Sequence, residues 1–418
     1  MKRITLLVSI LLPQLIWGQS TILKNVNIVD VINERVNYNQ TIEVKSGRII
    51  HIHDESYIGK EGDSVVDLSG KYVMPGLIDS HTHIEHSAYW NKELKYNPPR
   101  EHLLELLNHA LLGGVTTIRE MACDVRVVGE LSRAAQLNLI PSPNIIYPSV
   151  FAGPDFFKDP RSIAGALGET AGNTSWFRAI EDDTDLAQVI AEAKGNGSDA
   201  LKLYALLSQE QINAITKEAI NQDMMIWGHA FTHFAKPSEI IASGINDISH
   251  APLLMYEISD KPDYASYTAD DKRLDSLFHL MKSNNVSLDP TVFIFEVIPR
   301  LSDMTTAVRS ITRHANEAGV RVIAGTDSIS AYKEEPYPFI HNEIANYVDL
   351  CDFTTMEAIQ SATINPAITL NLADEIGSVD IGKKANFIIL ERNPLEDIQN
   401  TRSIIMTIKD GIAYQRKE

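Results

Sequence analysis

The sequence predicts an α/β protein, a TIM (β/α)8 barrel with a small β-sandwich domain formed by both chain ends. Three observations carry this expectation. The chain has 418 residues, 44% apolar and 22% charged, which is material for a large core and more than one core usually serves. Its middle alternates short apolar strands with amphipathic helices, the pattern of a parallel sheet built from βα units. Its head and tail carry β-branched runs broken by turn residues instead.

The elements follow in chain order. Met1-Lys2-Arg3 is positive, residues 4–12 are almost unbrokenly apolar, and Ile16-Trp17-Gly18 forms a cleavage site before Gln19, so residues 1–18 read as an export signal. Pro13 and Gln14 stop the run well short of the ~20 apolar residues that a membrane span requires. The expectation is an exported chain, periplasmic or extracellular, with no membrane contact beyond export. Residues 21–23, 41–44, 48–52 and 65–66 are strand-like and punctuated by Ser46-Gly47. The tail repeats the style at 385–390, 404–409 and 412–414, with an Asp410-Gly411 turn. Residues 19–73 plus 376–418 are therefore expected to form the small β domain.

Residues 74–375 are left for the barrel. Eight candidate strands fall at 76–80, 115–119, 144–150, 200–204, 224–227, 247–249, 286–289 and 320–324. Helices fit between them, for example at 101–112 before Gly113-Gly114, at 209–221 and at 272–282. A doubly wound open sheet is the competing architecture, but no strand is followed by a glycine-rich dinucleotide loop. Residues 151–183 are long for a βα connection and contain Phe156, Phe157 and Trp176, as expected of a segment that covers a substrate.

Charge and cysteine content exclude several function classes. Lysine and arginine number 37 against 55 aspartates and glutamates, and the net charge of −18 repels nucleic-acid backbones and anionic lipid. The expected partner is a small-molecule substrate, with oligomeric state left open. Cys123 and Cys351 are too far apart in sequence for a disulfide framework or a thiolate zinc cluster.

In a barrel of this type reactive side chains gather at the carboxyl ends of the strands. The first strand runs into Asp79-Ser80-His81-Thr82-His83, and a spacing of two puts both imidazoles on one side of an extended backbone. In the fourth strand alternation places Lys202 and Tyr204 together. The fifth ends at His229, the sixth at His250 and the eighth at Asp327. One histidine at a strand end is more often a satisfied polar residue than a ligand; agreement across five strands argues for a metal site. Lys202 is the most telling, because a lysine inside an apolar buried strand must be paired, neutral or modified. His233 is expected in the loop after the fifth strand rather than as a ligand, and Arg119 and Glu120 as an ion pair beneath the site.

The string Val73-Met74-Pro75-Gly76-Leu77-Ile78-Asp79-Ser80-His81-Thr82-His83 resembles the opening signature of the metal-dependent amidohydrolase superfamily. Residues 113–120, 243–250, 319–327 and 376–386 are similar to that superfamily's second, sixth and eighth strand segments and its return into the small β domain. The resemblance runs from about residue 22 to the end. It implies two divalent metal ions: one held by His81, His83 and Asp327, the other by His229 and His250, with Lys202 carboxylated by carbon dioxide and bridging both. It also implies a metal-activated hydroxide attacking a substrate carbonyl and Asp327 shuttling the proton to the leaving amine. Tyr204, on the same strand face as Lys202, is placed either to donate to the oxyanion or to pack as an aromatic at the barrel mouth. Zinc suits imidazole and carboxylate ligands best, although manganese, iron or cobalt would fit the same donors.

Within the superfamily the chain looks most like the branch of prolidase-like dipeptidases and imidazolonepropionase-like proteins. The latter generally lack the bridging lysine, so Lys202 favours a two-metal hydrolase of dipeptides, N-acyl amino acids or a cyclic amide. Two alternatives remain: a one-metal deaminase of a heterocycle, in which Lys202 is an ordinary lysine, and a non-catalytic binding protein on the same barrel.

Overall fold

The computed structural model describes residues 20–54, 57–85, 98–268, 270–328 and 335–416. The expected export signal lies outside these residues. Among the described residues no helix is long and apolar enough to cross a membrane.

The described residues begin in a sheet. β1 (Thr21–Asp30), β2 (Arg35–Lys45) and β3 (Arg48–His53) form an antiparallel meander; β4 (Ser64–Asp67) and β5 (Tyr72–Pro75) pair parallel to β1. The site-bearing strands follow: β6 (Leu77–Thr82), β7 (Val115–Glu120), β8 (Asn144–Ile146), β9 (Pro148–Ala152), β10 (Phe177–Ala179), β11 (Ala200–Leu203), β12 (Met225–His229), β13 (Asp247–Ser249) and β14 (Ser287–Asp289). β15 (Phe387–Leu390), β16 (Ile404–Lys409) and β17 (Ile412–Tyr414) then return to the first sheet, β15 pairing with β5. Both ends of the described residues thus build one eight-stranded sheet around a core that includes Val26, Ile42, Ile49 and Phe387. The expected sandwich is, in its hydrogen bonding, a single continuous sheet.

The middle of the chain has a TIM-barrel-like α/β fold. Its parallel strands run β6-β7-β8 and β10-β9-β11-β12-β13-β14, and the helices between them cover the outside with apolar faces such as Leu103, Leu107 and Leu111 of helix Arg100–Leu112. The expected third strand is two. Tyr147 interrupts it because its backbone N–H donates to Asp199 Oδ2 at 3.0 Å and its carbonyl accepts from Asp199 N–H at 2.8 Å, so β8 pairs with β7 while β9 pairs with β11. The expected eighth strand contributes one bridge, Leu288 with Val322. Its backbone is nevertheless paired on both sides: Ile323 N–H donates to Leu288 O at 2.9 Å, and Ser80 N–H donates to Ala324 O at 2.8 Å.

The covering segment after β9 is only partly irregular. It contains a 3-10 turn at Pro154–Lys158, a helix at Pro160–Gly165 and the short β10, which adds to the edge of β9. Gly76, between β5 and β6, is where the chain passes from one sheet to the other. A Cβ there would lie 2.3 Å from the Thr116 side chain, so only glycine lets β6 seat against β7.

Candidate metal centre

The strand ends converge on a cavity of about 150 Å³. His81, His83, Lys202, Tyr204, His229, His250 and Asp327 all line it. The seven residues singled out by sequence are therefore brought together.

His81 sits near the end of β6 with its ring fixed from behind, Nδ1 lying 2.6 Å from Asp289 Oδ2 on β14. Its Nε2 consequently faces Asp327, 3.4 Å from Oδ1. His83 Nε2 approaches the same oxygen at 3.1 Å, and its Nδ1 lies 3.7 Å from Glu120 Oε1. The ligand atoms of His81, His83 and Asp327 all lie within 4.8 Å of one another, as donors around one small cation would. Burial works against charge on Asp327, but His81, His83 and His250 hold its carboxyl below the usual carboxylate range. Burial likewise disfavours charge on His83, yet Asp327 and Glu120 carry it up to about 9.

His229 and His250 form the second group, with their Nε2 atoms 3.2 Å apart. Burial pushes both rings down, His250 to about 3, so both are neutral imidazoles. Two neutral nitrogens face to face at this distance suit a shared proton or a cation. The Nδ1 of His250 is occupied by Thr291 Oγ1 at 2.9 Å. His250 and Asp327 have φ of 73° and 52°, a left-handed conformation that is uncommon outside glycine and clusters at functional sites.

Lys202 points into the barrel from β11 and is 1% exposed. Its Nζ donates to Ser249 Oγ at 3.1 Å, and burial pulls the amine down to about 7. The Tyr204 ring lies 3.9 Å from that of His229 and 4.5 Å from that of Phe156 on the covering segment. His233 does not line the cavity; it sits in the loop beyond β12, bridged to Leu207. Cys123 is buried and its thiol pushed well up, which suits packing rather than nucleophilic chemistry.

Arg119 differs from expectation in its partner. It lies under the site, but its Nη1 donates to Asp247 Oδ2 at 2.6 Å and its Nη2 is 3.6 Å from Asp289 Oδ2, while its guanidinium stacks on Trp227. Glu120 instead accepts from Ile84 N–H at 2.8 Å and serves His83. Asp79 accepts from Thr326 N–H and Oγ1, which ties β6 to the turn bearing Asp327. Asp247, Asp289 and Thr291 were not foreseen as parts of the site. An acid at the carboxyl end of the seventh strand was the available signal for Asp289.

The donor set fits a divalent metal. Imidazole nitrogens and a carboxylate oxygen converge, and an acid holds the far side of His81, the outer support that metal-bound histidines generally have.

The sequence profile of the amidohydrolase family matches residues 72–413. The chain is 34% identical over 391 residues to an enamidase of Eubacterium barkeri, covering 89% of this chain and 86% of that one. It is 24% identical over 392 residues to an imidazolonepropionase of Picrophilus torridus, covering 88% and 91%. In fold it is similar to a Xaa-Pro dipeptidase crystallised with bound methionine, with a TM-score of 0.75 at 20% identity over 95% of this chain and all of that one.

Proposed function

This chain belongs to the amidohydrolase family, and from that premise and the geometry of the cavity we infer that it hydrolyses a carbon–nitrogen bond in a small amide-like substrate. One observation carries the reading: His81, His83 and Asp327 meet at one point of a cavity that His229, His250 and Lys202 also line. His81, His83 and Asp327 would hold one divalent cation, His229 and His250 a second, and Lys202, carboxylated, would bridge them. Zinc is the metal these donors suit best. Bound ions would supply Lewis-acid polarisation and ionise water at neutral pH.

The chain's own residues do the rest. Asp327, its carboxyl held low with His83 Nε2 at 3.1 Å, accepts a proton and returns it to the leaving nitrogen. Tyr204 lines the cavity and donates its phenolic proton to the developing oxyanion. Phe156, Phe177, Ile294 and Ile298 supply apolar wall, and Arg161, Ser162, Arg300 and Ser328 supply polar wall, a mixed lining suited to a dipeptide, an N-acyl amino acid or a cyclic amide.

A second reading has one observation in its favour. The Lys202 amine already donates to Ser249, as an ordinary lysine beside a single-metal deaminase site would. The two readings differ in the number of ions per chain.

The architecture follows the same inference: a barrel at 74–375 closed through 320–324, a small domain from 19–73 and 376–418, and a cleaved signal at 1–18 that exports the protein to the periplasm or beyond. The bond from Ser80 N–H to Ala324 O supports the closure, and the charge and apolarity of residues 2–12 support the signal.

The test is a screen of dipeptides, N-acyl amino acids and cyclic amides for release of amine or ammonia. Wild-type protein is expected to cleave at least one class, and Asp327→Asn to lose about 10²–10⁴-fold in rate, the range for a lost general acid–base group, while melting near the wild-type temperature. Undiminished turnover in Asp327→Asn contradicts the mechanism.

A further inference from the structure

Glu343 is completely buried on helix Ile340–Cys351, away from the cavity lining. Its two carboxylate oxygens accept from Val292 N–H at 2.9 Å and from Phe293 N–H at 2.5 Å, the first two N–H groups of the short helix Val292–Val297. The first N–H groups of a helix have no intrahelical acceptor, and the residue just before the helix ordinarily supplies one from its own side chain. Here that residue is Thr291, a good capping residue, and it makes no cap. Its hydroxyl meets Nδ1 of His250 at 2.9 Å instead. An acid from a different helix does the capping and leaves the threonine free for the histidine.

The same turn reaches His81. Asp289, two residues earlier, holds Nδ1 of His81 at 2.6 Å, and its carbonyl accepts from the backbone N–H of His250 at 2.8 Å. Thr291 itself sits at φ 55°, an outlier for a β-branched residue, and such a conformation persists only where the surroundings over-determine it. The pair of bonds that Glu343 accepts supplies that constraint from the far side of the turn.

We propose that Glu343 is a positioning residue: by capping Val292 and Phe293 it fixes the turn from Asp289 to Thr291 and thereby aims His81 and His250 into the cavity. The proposal rests on the reading of these two histidines as metal ligands. Removing the cap lets the Thr291 hydroxyl swing to the helix and abandon His250.

The experiment titrates Zn2+ against a competing chromophoric chelator in wild type, Glu343→Gln and Thr291→Val, with melting temperatures measured in parallel. Outer-shell partners of this kind change metal affinity by about 10–100-fold, so both variants are expected to bind Zn2+ that much more weakly. In turnover they should lose kcat while KM stays within about twofold, and Thr291→Ser, which keeps the hydroxyl, should retain wild-type affinity. A Glu343→Gln protein that melts earlier but holds Zn2+ as tightly as wild type has lost only packing, and the proposal falls. Should Glu343→Gln fail to fold, wild-type affinity in Thr291→Val overturns it equally. If wild-type protein binds no Zn2+ at all, the metal reading fails first and takes this proposal with it.

Discussion

Arg119 spans the floor of the site with its guanidinium fully buried between Asp247 and Asp289 and packed on Trp227 at 4.7 Å. The arrangement couples charge balance to ligand geometry, because Asp289 is also the acid that orients His81. Removing one member of a buried ion pair leaves the other charge uncompensated and costs about 3–5 kcal/mol. Arg119→Met should therefore lower unfolding free energy by about that amount in a urea titration; a change below about 1 kcal/mol, typical of a solvent-exposed pair, would contradict it. Among single residues, the imidazoles, Lys202 and Asp327 were readable from sequence because alternation and strand ends fix where they point. Gly325 was not, although a Cβ there would lie 2.4 Å from Asp289 Oδ1 and 2.6 Å from Cβ of His81. Its requirement arises from neighbours 36 and 244 positions away, and no local pattern reports it.

Elements show the same division. Helix Gln209–Asn221 was legible to the residue because Ser208 and Gln211 form a reciprocal cap and its buried positions repeat at helical spacing. The break in the third strand was not, since it depends on Asp199, far along the chain, taking both backbone groups of Tyr147. Helix Ile340–Cys351 also ties the turn before β7 to the 3-10 turn before β16: His341 is buried with Nε2 2.8 Å from Gly113 O and Nδ1 2.9 Å from Thr401 Oγ1. Burial drives the ring down to about 3, with Arg402, Arg416 and His109 facing it. Its folded pKa thus lies below the unfolded value of about 6.5. Below pH 6.5 the unfolded chain takes up a proton that the folded chain refuses, so this stability is fully present above about 6.5 and is lost as pH falls toward 3. The slope contributed is at most about 1.4 kcal/mol per pH unit. Urea midpoints at pH 7, 6 and 5 should fall less steeply in His341→Gln than in wild type; parallel slopes would contradict the assignment.

At the scale of the molecule, the terminal sheet, the parallel strands of the middle and the site at their ends were legible because hydrophobic period and turn residues specify them locally. The expected strand at 320–324 was less so, since that segment meets its neighbours by an isolated bridge and single hydrogen bonds rather than a regular ladder. Ions that bind only the folded chain stabilise it, by about 2.7 kcal/mol at a concentration of 100 times Kd, so stripping them with a chelator should lower the melting temperature and abolish turnover together, and Zn2+ should restore both. The decisive measurement is the number of divalent ions per chain in fully active protein, taken by elemental analysis on a sample of known specific activity. Two ions per chain, falling together with activity when Lys202 is replaced by alanine, is the expected result; full turnover with one ion or none would contradict the two-metal account.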